Sequence, residues 1–274
     1  MQKNYLGLVY PPLGHVGNTG DGVRMAQELG ADLWHMNGVA CTLGYCVPDY
    51  DAPLGFGMPA PGYIFVDQYC HRFMDETGTD THQMGFIFSQ FDTTSGTYPR
   101  MPAYVLFDEA TRQAGPVGHT VQGRISDYYQ WSPRNTAEIE RGWIKTGKTV
   151  SELAEALALE PKALQETVAR YNLACLGGHD ADFNRRQDTL TPLIAPPFYG
   201  AAIWPCLINT EGGPRRNARA QVVSVRGEPI RRLYSAGELG SIWGMINPGA
   251  GNISECLAFG RIAGRNAAAE EPWE

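Results

Sequence analysis

The run Asn247-Pro-Gly-Ala-Gly-Asn-Ile-Ser254 stands at the head of an amphipathic segment and reads as a glycine loop opening a helix. Unpaired amides at a helix start, together with the macrodipole, favour a negative or electron-rich group, and glycines let it approach. A plain Gly-rich turn capped by Asn252 or Ser254 explains the same residues. Ser235-Ala-Gly-Glu238 follows a short apolar run. A carboxylate at a strand end suits a ribose or ribityl hydroxyl, and equally a surface turn. Gly20-Asp21-Gly22 is a third such turn. Asp80-Thr-His82 pairs an imidazole with a carboxylate, a combination that can donate a proton near neutral pH or simply face solvent. Tyr45 and Tyr50 can polarise a carbonyl or return a proton, or fill a core. His35 beside Trp34 reads as structural and His71 as an exposed turn residue.

Three stretches must position these groups. Residues 1–60 open on a Pro/Gly loop and carry a short helix after Gly22, with Val23, Ala26 and Leu29 on one face and Gly30 ending it. Residues 61–196 contain two predicted strands, Tyr63–Val66 and Ala103–Phe107. A capping box at Thr149-x-x-Glu152 opens a helix there. Pro161 starts a second helix, with Leu164, Val168, Tyr171 and Cys175 on one face and Gly177-Gly178 stopping it. Residues 197–274 carry a strand at Ala220–Val225, a turn at Arg226-Gly227-Glu228 and a strand at Leu233–Ala236. A final helix follows, with Leu257, Phe259, Ile262 and Ala263 predicted on its buried side and Gly260 and Gly264 against a close neighbour.

Composition excludes several classes. The 274 residues hold 22 Lys+Arg against 29 Asp+Glu, a net charge of −7, which argues against a nucleic-acid binder. At 43% hydrophobic and 19% charged residues a folded core is expected. No apolar run is long enough for a membrane span. The start has no signal-peptide pattern. None of the six cysteines forms a CxxC pair, so structural, reduced thiols in a cytoplasm are expected, with no metal site.

Taken in order, these segments resemble the fumarate reductase/succinate dehydrogenase flavoprotein superfamily, which includes the 3-ketosteroid dehydrogenases. Leu233-Tyr-Ser-Ala-Gly-Glu-Leu-Gly240 and Gly251 through Ala267 are similar to its C-terminal segments. Asn18-Thr-Gly-Asp-Gly22 is similar to its first shared segment. Ile64-Phe-Val-Asp, followed by His-Arg-Phe-Met-Asp-Glu76, is similar to the strand and turn at its cap domain. Pro197-Phe-Tyr199 and Gly212-Gly213 resemble the return from the cap. The resemblance implies an α/β (α+β) fold: a partial FAD-binding domain, residues 1–60 and 197–274, with an inserted α+β cap, residues 61–196. It also implies FAD contacts at Asp21, at Glu238, and at the helix start Asn252, Ile253 and Ser254.

The sequence departs from the family in two places. The family's opening strand, GxGxxG loop and helix, which bind the ADP half of FAD, have no counterpart; Gly55-Phe-Gly57-Met-Pro-Ala60 has only the spacing. Tight FAD binding by this chain alone is therefore not expected. A second polypeptide supplying the Rossmann half, a homo-oligomer, a fragment of a longer enzyme, or a chain that has abandoned FAD all follow from this. The family's catalytic positions also differ. Its loop Arg falls on Pro248, its proton-donating Arg on Asp80 and the steroid enzymes' acid Tyr on Met245; Ile208-Asn209-Thr-Glu stands where a His precedes the paired glycines. A dicarboxylate thus loses its cationic clamp. Two functions are weighed. One is a flavin-dependent oxidoreductase acting on a C=C bond next to a carbonyl in an apolar small molecule. There the Gly249 amide stabilises the enolate, and Asp80, His82 or Tyr45 handles the proton. The other is an FAD-free binding module, or a cofactor-independent isomerase or lyase.

Overall fold

The computed structural model describes residues 2–15, 17–80, 82–119, 129–245 and 248–272. Asn247 in the predicted loop and Thr81 between Asp80 and His82 lie outside the described residues. The element order begins α1 (Gln2–Leu6), α2 (Asp21–Glu28), β1 (Leu33–Trp34), β2 (Val39–Tyr45), β3 (Leu54–Phe56), β4 (Tyr63–Val66) and α3 (Met84–Phe88). It continues β5 (Ala103–Asp108), α4 (Glu109–Ala114), β6 (Gly118–His119), α5 (Thr136–Glu140), β7 (Lys145–Gly147), α6 (Val150–Ala156) and α7 (Pro161–Gly177). It closes with β8 (Phe198–Thr210), β9 (Gly213–Pro214), β10 (Gln221–Val223), β11 (Pro229–Tyr234) and α8 (Gly251–Ala268).

The chain divides into two compact units. One holds Met1–Tyr10, Gly14–Cys41 and Leu207–Glu274, the other Pro11–Leu13 and Thr42–Cys206. The second is wider than the predicted 61–196 at both ends. The reason is strand pairing: Gly44 and Tyr45 of β2 pair with Gly55 and Leu54 of β3, and β8 pairs with β5 along Phe198–Ile203. Residues 42–60 and 197–206 are thereby bound into the sheet that residues 61–196 begin.

That sheet has the order β4-β5-β8-β2-β3-β6, with β7 also on β8. Its central strands are buried on both faces, and the side-chain period of two sorts them. Ile64, Val66 and Leu106 meet Leu153, Leu164, Val168 and Tyr171 of α6 and α7. Phe65, Val105 and Phe107 point the other way, onto Phe88, Trp131 and Ile144. The predicted helix pair forms as its caps direct. Thr149 Oγ1 accepts from Glu152 N at 3.1 Å, Pro161 begins α7, and Gly178 ends it in the left-handed region at φ +66°. Gly55 belongs to β3, and its missing side chain makes room for the His119 ring; a Cβ there would lie 2.4 Å from Nε2. Its role is strand packing, consistent with rejecting it as a phosphate loop.

At α4, Glu109 accepts from Arg112 Nε and Nη2 at 2.6 Å each and from Tyr199 Oη at 2.7 Å. The guanidinium, then the phenol, hold its carboxyl at about 2, below the ordinary 4.5. A carboxylate depressed in the folded state stabilises fully above its unfolded value and loses that contribution as pH falls through the folded one. Stability is thus expected to decline from pH 4.5 toward 2, and Glu109→Gln to flatten that limb of a urea-midpoint-versus-pH curve.

In the first unit, Ala26 of α2 packs with Ala31 and Val222 beneath the β10–β11 hairpin. Among the described residues no helix is long and apolar enough to cross a membrane, and no cluster of His, Cys, Asp or Glu could hold a metal ion.

Candidate flavin site

The first unit gathers Glu238, the start of α8 and the loop between them. α8 begins after Ala250, which is left-handed at φ +52° and supplies no side-chain cap. Neither Asn252 nor Ser254 caps the helix. Ser254 Oγ donates to Gly251 O at 2.8 Å, and Asn252 Nδ2 donates to Glu238 Oε1 at 2.5 Å. Asn252 Oδ1 is buried with no hydrogen-bond partner. Burial pushes the Glu238 carboxyl above its usual range, and the nearby Glu255 carboxylate adds to this against the Asn252 hydrogen bond. Gly249 has φ +58°, and a Cβ built on it would meet nothing within 4 Å. The Ile253 side chain faces outward, 68% exposed.

The loop is fixed by a buried ion pair that the sequence does not announce. Arg216, just past β9, pairs with Glu255 of α8, 39 residues away, and both side chains are fully buried. Arg216 Nη1 donates to Leu239 O at 3.1 Å and Nη2 to Gly237 O at 3.2 Å. Glu255 accepts from Ser241 Oγ and from Ile242 N, each at 2.8 Å. This pair sets the rotation of α8 and corrects the predicted one. Gly251 and Glu255 face inward, while Leu257 is 72% exposed and Phe259, Ile262 and Ala263 are half-buried. Gly260 and Gly264 likewise have no neighbour within 4 Å of a built Cβ, so they mark no close packing in this structure.

Trp34 and His35 hold the same loop from β1. Trp34 Nε1 donates to Gly240 O at 3.0 Å and His35 Nδ1 donates to Ser241 O at 2.6 Å, the two rings stacked 4.6 Å apart. His35 takes a left-handed backbone, φ +53°, to do so. Glu211, 1% exposed before Gly212-Gly213, accepts from Asn209 Nδ2 at 3.0 Å; burial raises its carboxyl, with Glu238 and Glu255 adding. A buried carboxyl whose partners lie far away in the chain leaves no periodic trace in sequence. The only available signal for Glu255 was its i+4 spacing from the helix-opening Gly251.

Asp21 begins α2 in the same unit, exposed. The Thr19 hydroxyl and then the Arg24 guanidinium donate to it and lower its carboxyl below the usual range.

The second unit holds the other candidates, and they do not form one cluster. Tyr45 is 3% exposed and packs against Phe56 and Trp131; its hydroxyl donates to Val117 O at 2.9 Å. Burial holds that phenol well above its usual value. Tyr45 is therefore a core tyrosine here, because closing β2 onto β3 turns it inward. Tyr50 lies edge-on to Trp143 beside Tyr129. Asp80 and His82 are exposed partners: Asp80 Oδ1 accepts from His82 N and from Nδ1, both at 2.9 Å. These bonds, the backbone one first, lower the Asp80 carboxyl.

The profile of a family described as "FAD binding domain" matches residues 11–253. The chain is 30% identical over 270 residues to a digoxin reductase of Eggerthella lenta, covering 94% of this chain and 46% of that protein. It is 38% identical over 261 residues to a urocanate reductase of the same organism, covering 93% of this chain and 39% of that protein. The chain thus spans about half or less of the length of the curated relatives it matches. A solved 3-ketosteroid Δ1-dehydrogenase from Sterolibacterium denitrificans superposes with a TM-score of 0.75 at 24% identity, over 93% of this chain and 47% of that one. The uncapped helix start, the carboxylate beside it and a family match running through both units have one common reading: this chain belongs to the FAD-binding-domain family of flavoproteins that includes fumarate reductase-like and 3-ketosteroid dehydrogenase-like oxidoreductases.

Proposed function

We propose that the chain is part of an FAD-dependent oxidoreductase that reduces or forms a C=C bond conjugated with a carbonyl in an apolar small molecule. The observation that carries this is the start of α8: helix amides with no side-chain cap, beside a buried Asn252 Oδ1 that has no partner. Such a pair of features suits a polar ring edge bearing both acceptors and a donor. Glu238, held by Asn252, would take hydroxyls of the cofactor chain, and Asp21 would add a contact from α2. FAD, when bound, supplies two-electron hydride exchange. This chain's residues would bind, orient and move the proton. The Gly249 amide would donate to a substrate carbonyl as enolate charge develops. Asp80, accepting from the His82 ring, would orient it as the proton-transfer group. Urocanate and digoxin, named in the relatives, both contain a carbonyl-conjugated C=C bond, which supports the substrate class.

We further infer that another length of polypeptide covers α8, either a second chain carrying the dinucleotide-binding half or a second copy of this one. The apolar face of Ile253 and Leu257, with Gly260 and Gly264 uncovered beside it, supports this.

The test is an FAD titration of the purified chain followed by visible absorption, beside Glu238→Ala. Loss of a charge-assisted hydrogen bond is worth about 1.4 kcal/mol, so the variant is expected to bind about tenfold more weakly. Equal binding by the two proteins would remove Glu238 from the flavin site, and none at saturating FAD by a folded chain would mean that the chain does not hold the flavin without the polypeptide that covers α8.

A further inference from the structure

In the second unit the ring of Tyr129 meets three others: Trp143 at 4.8 Å between centroids, Tyr50 at 5.7 Å and Trp131 at 6.2 Å. Trp131 continues inward to the buried Tyr45 at 5.0 Å. Tyr129, Tyr50 and Trp143 are half-buried, so the run of rings leads from the core to the surface. Phenols and indoles lose one electron more easily than most side chains. Rings in contact exchange it fast, because electron transfer slows steeply with distance.

The proton of Tyr129 sets it apart. Its Oη donates to Glu138 Oε1 at 2.5 Å, the short separation of an O–H···O⁻ bond. Glu138 is fully buried on α5 and also accepts from Ser132 N at 2.8 Å and Ser132 Oγ at 2.5 Å. Among the described residues no guanidinium hydrogen-bonds to it, so it keeps its capacity as a base. Losing an electron makes a phenol strongly acidic, and oxidation is easiest where a base stands ready. Tyr45 Oη donates to Val117 O and Trp131 Nε1 to Asn135 Oδ1, an amide carbonyl in each case and no proton acceptor. Tyr199 does have a carboxylate, Glu109, but Arg112 holds it with two hydrogen bonds and weakens it as a base. The Arg141 guanidinium lies 5.1 Å from the Trp143 centroid and 5.5 Å from that of Tyr129. It opposes a positively charged indole radical, and not the neutral phenoxyl left when Glu138 takes the proton. Burial, then the Glu138 bond, raises the Tyr129 phenol above its usual value, so the proton stays on oxygen until the electron leaves.

We propose that Tyr129 is a redox-active tyrosine, which yields one electron to an oxidising radical and its proton to Glu138, and so draws oxidising equivalents away from the tryptophans beside it. The step balances with the carbonate radical as oxidant. The radical gains one electron and becomes carbonate, Tyr129 becomes a neutral phenoxyl radical, and Glu138 becomes a neutral acid. Where the oxidant strikes Trp131 or Trp143 first, Tyr129 supplies the electron that restores the indole, and the products are the same. An ascorbate or thiolate donor then returns the electron, and Glu138 returns the proton. The core rings are thereby spared irreversible oxidation. This inference does not depend on the flavin reading.

The experiment is flash photolysis of the intact chain with ruthenium(II) tris-bipyridine and a cobalt(III) pentaammine acceptor, which leaves ruthenium(III) as the one-electron oxidant. The narrow absorption band of a phenoxyl radical is distinct from the broad band of an indolyl radical. A nitroso spin trap followed by peptide mapping locates the radical. The unsubstituted chain is expected to carry its main adduct on Tyr129. Tyr129→Phe and Glu138→Gln should each lose most of the phenoxyl band and leave the indolyl band in its place. Adducts mainly on Trp131, Trp143 or another tyrosine of the unsubstituted chain would overturn the proposal. So would a phenoxyl band of undiminished height in either variant. The mapping of the unsubstituted chain decides the matter even if a variant fails to fold.

Discussion

Glu76→Gln is expected to lower stability by about 3–5 kcal/mol, the cost of leaving a buried charge without its partner. Glu76 lies at the end of the Ile64–Glu76 segment, and neither it nor Arg185 exposes any side-chain surface. Arg72 Nε donates to Glu76 Oε1 at 2.9 Å and Nη2 to Oε2 at 3.0 Å, and Arg185 Nη1 donates to Oε2 at 3.0 Å. Arg72 also pairs with Asp180 at 2.9 Å, and Arg185 reaches Tyr63 O at 2.8 Å. The network therefore ties β4, the turn after it and the segment beyond α7 at one point. Neutralising its central carboxylate leaves two guanidinium ions sharing Asp180 and backbone carbonyls. Urea unfolding followed by tryptophan fluorescence measures the loss. Asp182→Asn, which breaks the exposed pair with Arg170, serves as the comparison and should change stability by less than about 1 kcal/mol. If the two variants fell equally, the buried network would not be what holds this turn.

Arg216→Met is expected to cost about 3 kcal/mol or more, and to weaken FAD retention beyond the tenfold effect proposed for Glu238→Ala. Among the described residues, the substitution leaves the buried Glu255 carboxylate with Ser241 Oγ and Ile242 N as donors, strips the Gly237 carbonyl of its donor, and leaves the Leu239 carbonyl with Ser235 Oγ. Glu238 sits between those two carbonyls in sequence, so its position depends on them. A double-mutant cycle separates charge from packing. Arg216→Met with Glu255→Leu removes both charges and should be less destabilised than Arg216→Met alone, since no unpaired ion remains. A double variant as unstable as the sum of the single ones would mean that the two residues act independently. Flavin retention by the double variant then reports whether the loop needs the ion pair or only a filled space.

Much of the architecture was legible locally. The strands at Tyr63 and Ala103, the cap at Thr149, the helix start at Pro161 and its stop at Gly178 all follow from short-range rules, and each forms. The helix opened by Gly251 was legible too, because glycines and an apolar period mark it. Its rotation was not. Hydrophobic periodicity pointed Leu257 inward, whereas the pairing of Glu255 with Arg216 turns that face to the outside. Tyr45 shows the same limit from the other side. Its residue type suits an acid, and only the β2–β3 pairing shows that its hydroxyl is taken up by Val117 O.

The sequence by itself therefore determined the family, the helix that begins at Gly251, and Glu238 and Asn252 beside its start, because each of those signals is carried by a short local segment. Tertiary structure alone decided the Arg216–Glu255 pair, the Trp34–His35 grip on Gly240 and Ser241, and the Arg72–Glu76–Arg185 network. Each joins residues on separate elements, and the burial that makes such a pairing strong exists only once the chain has closed around it.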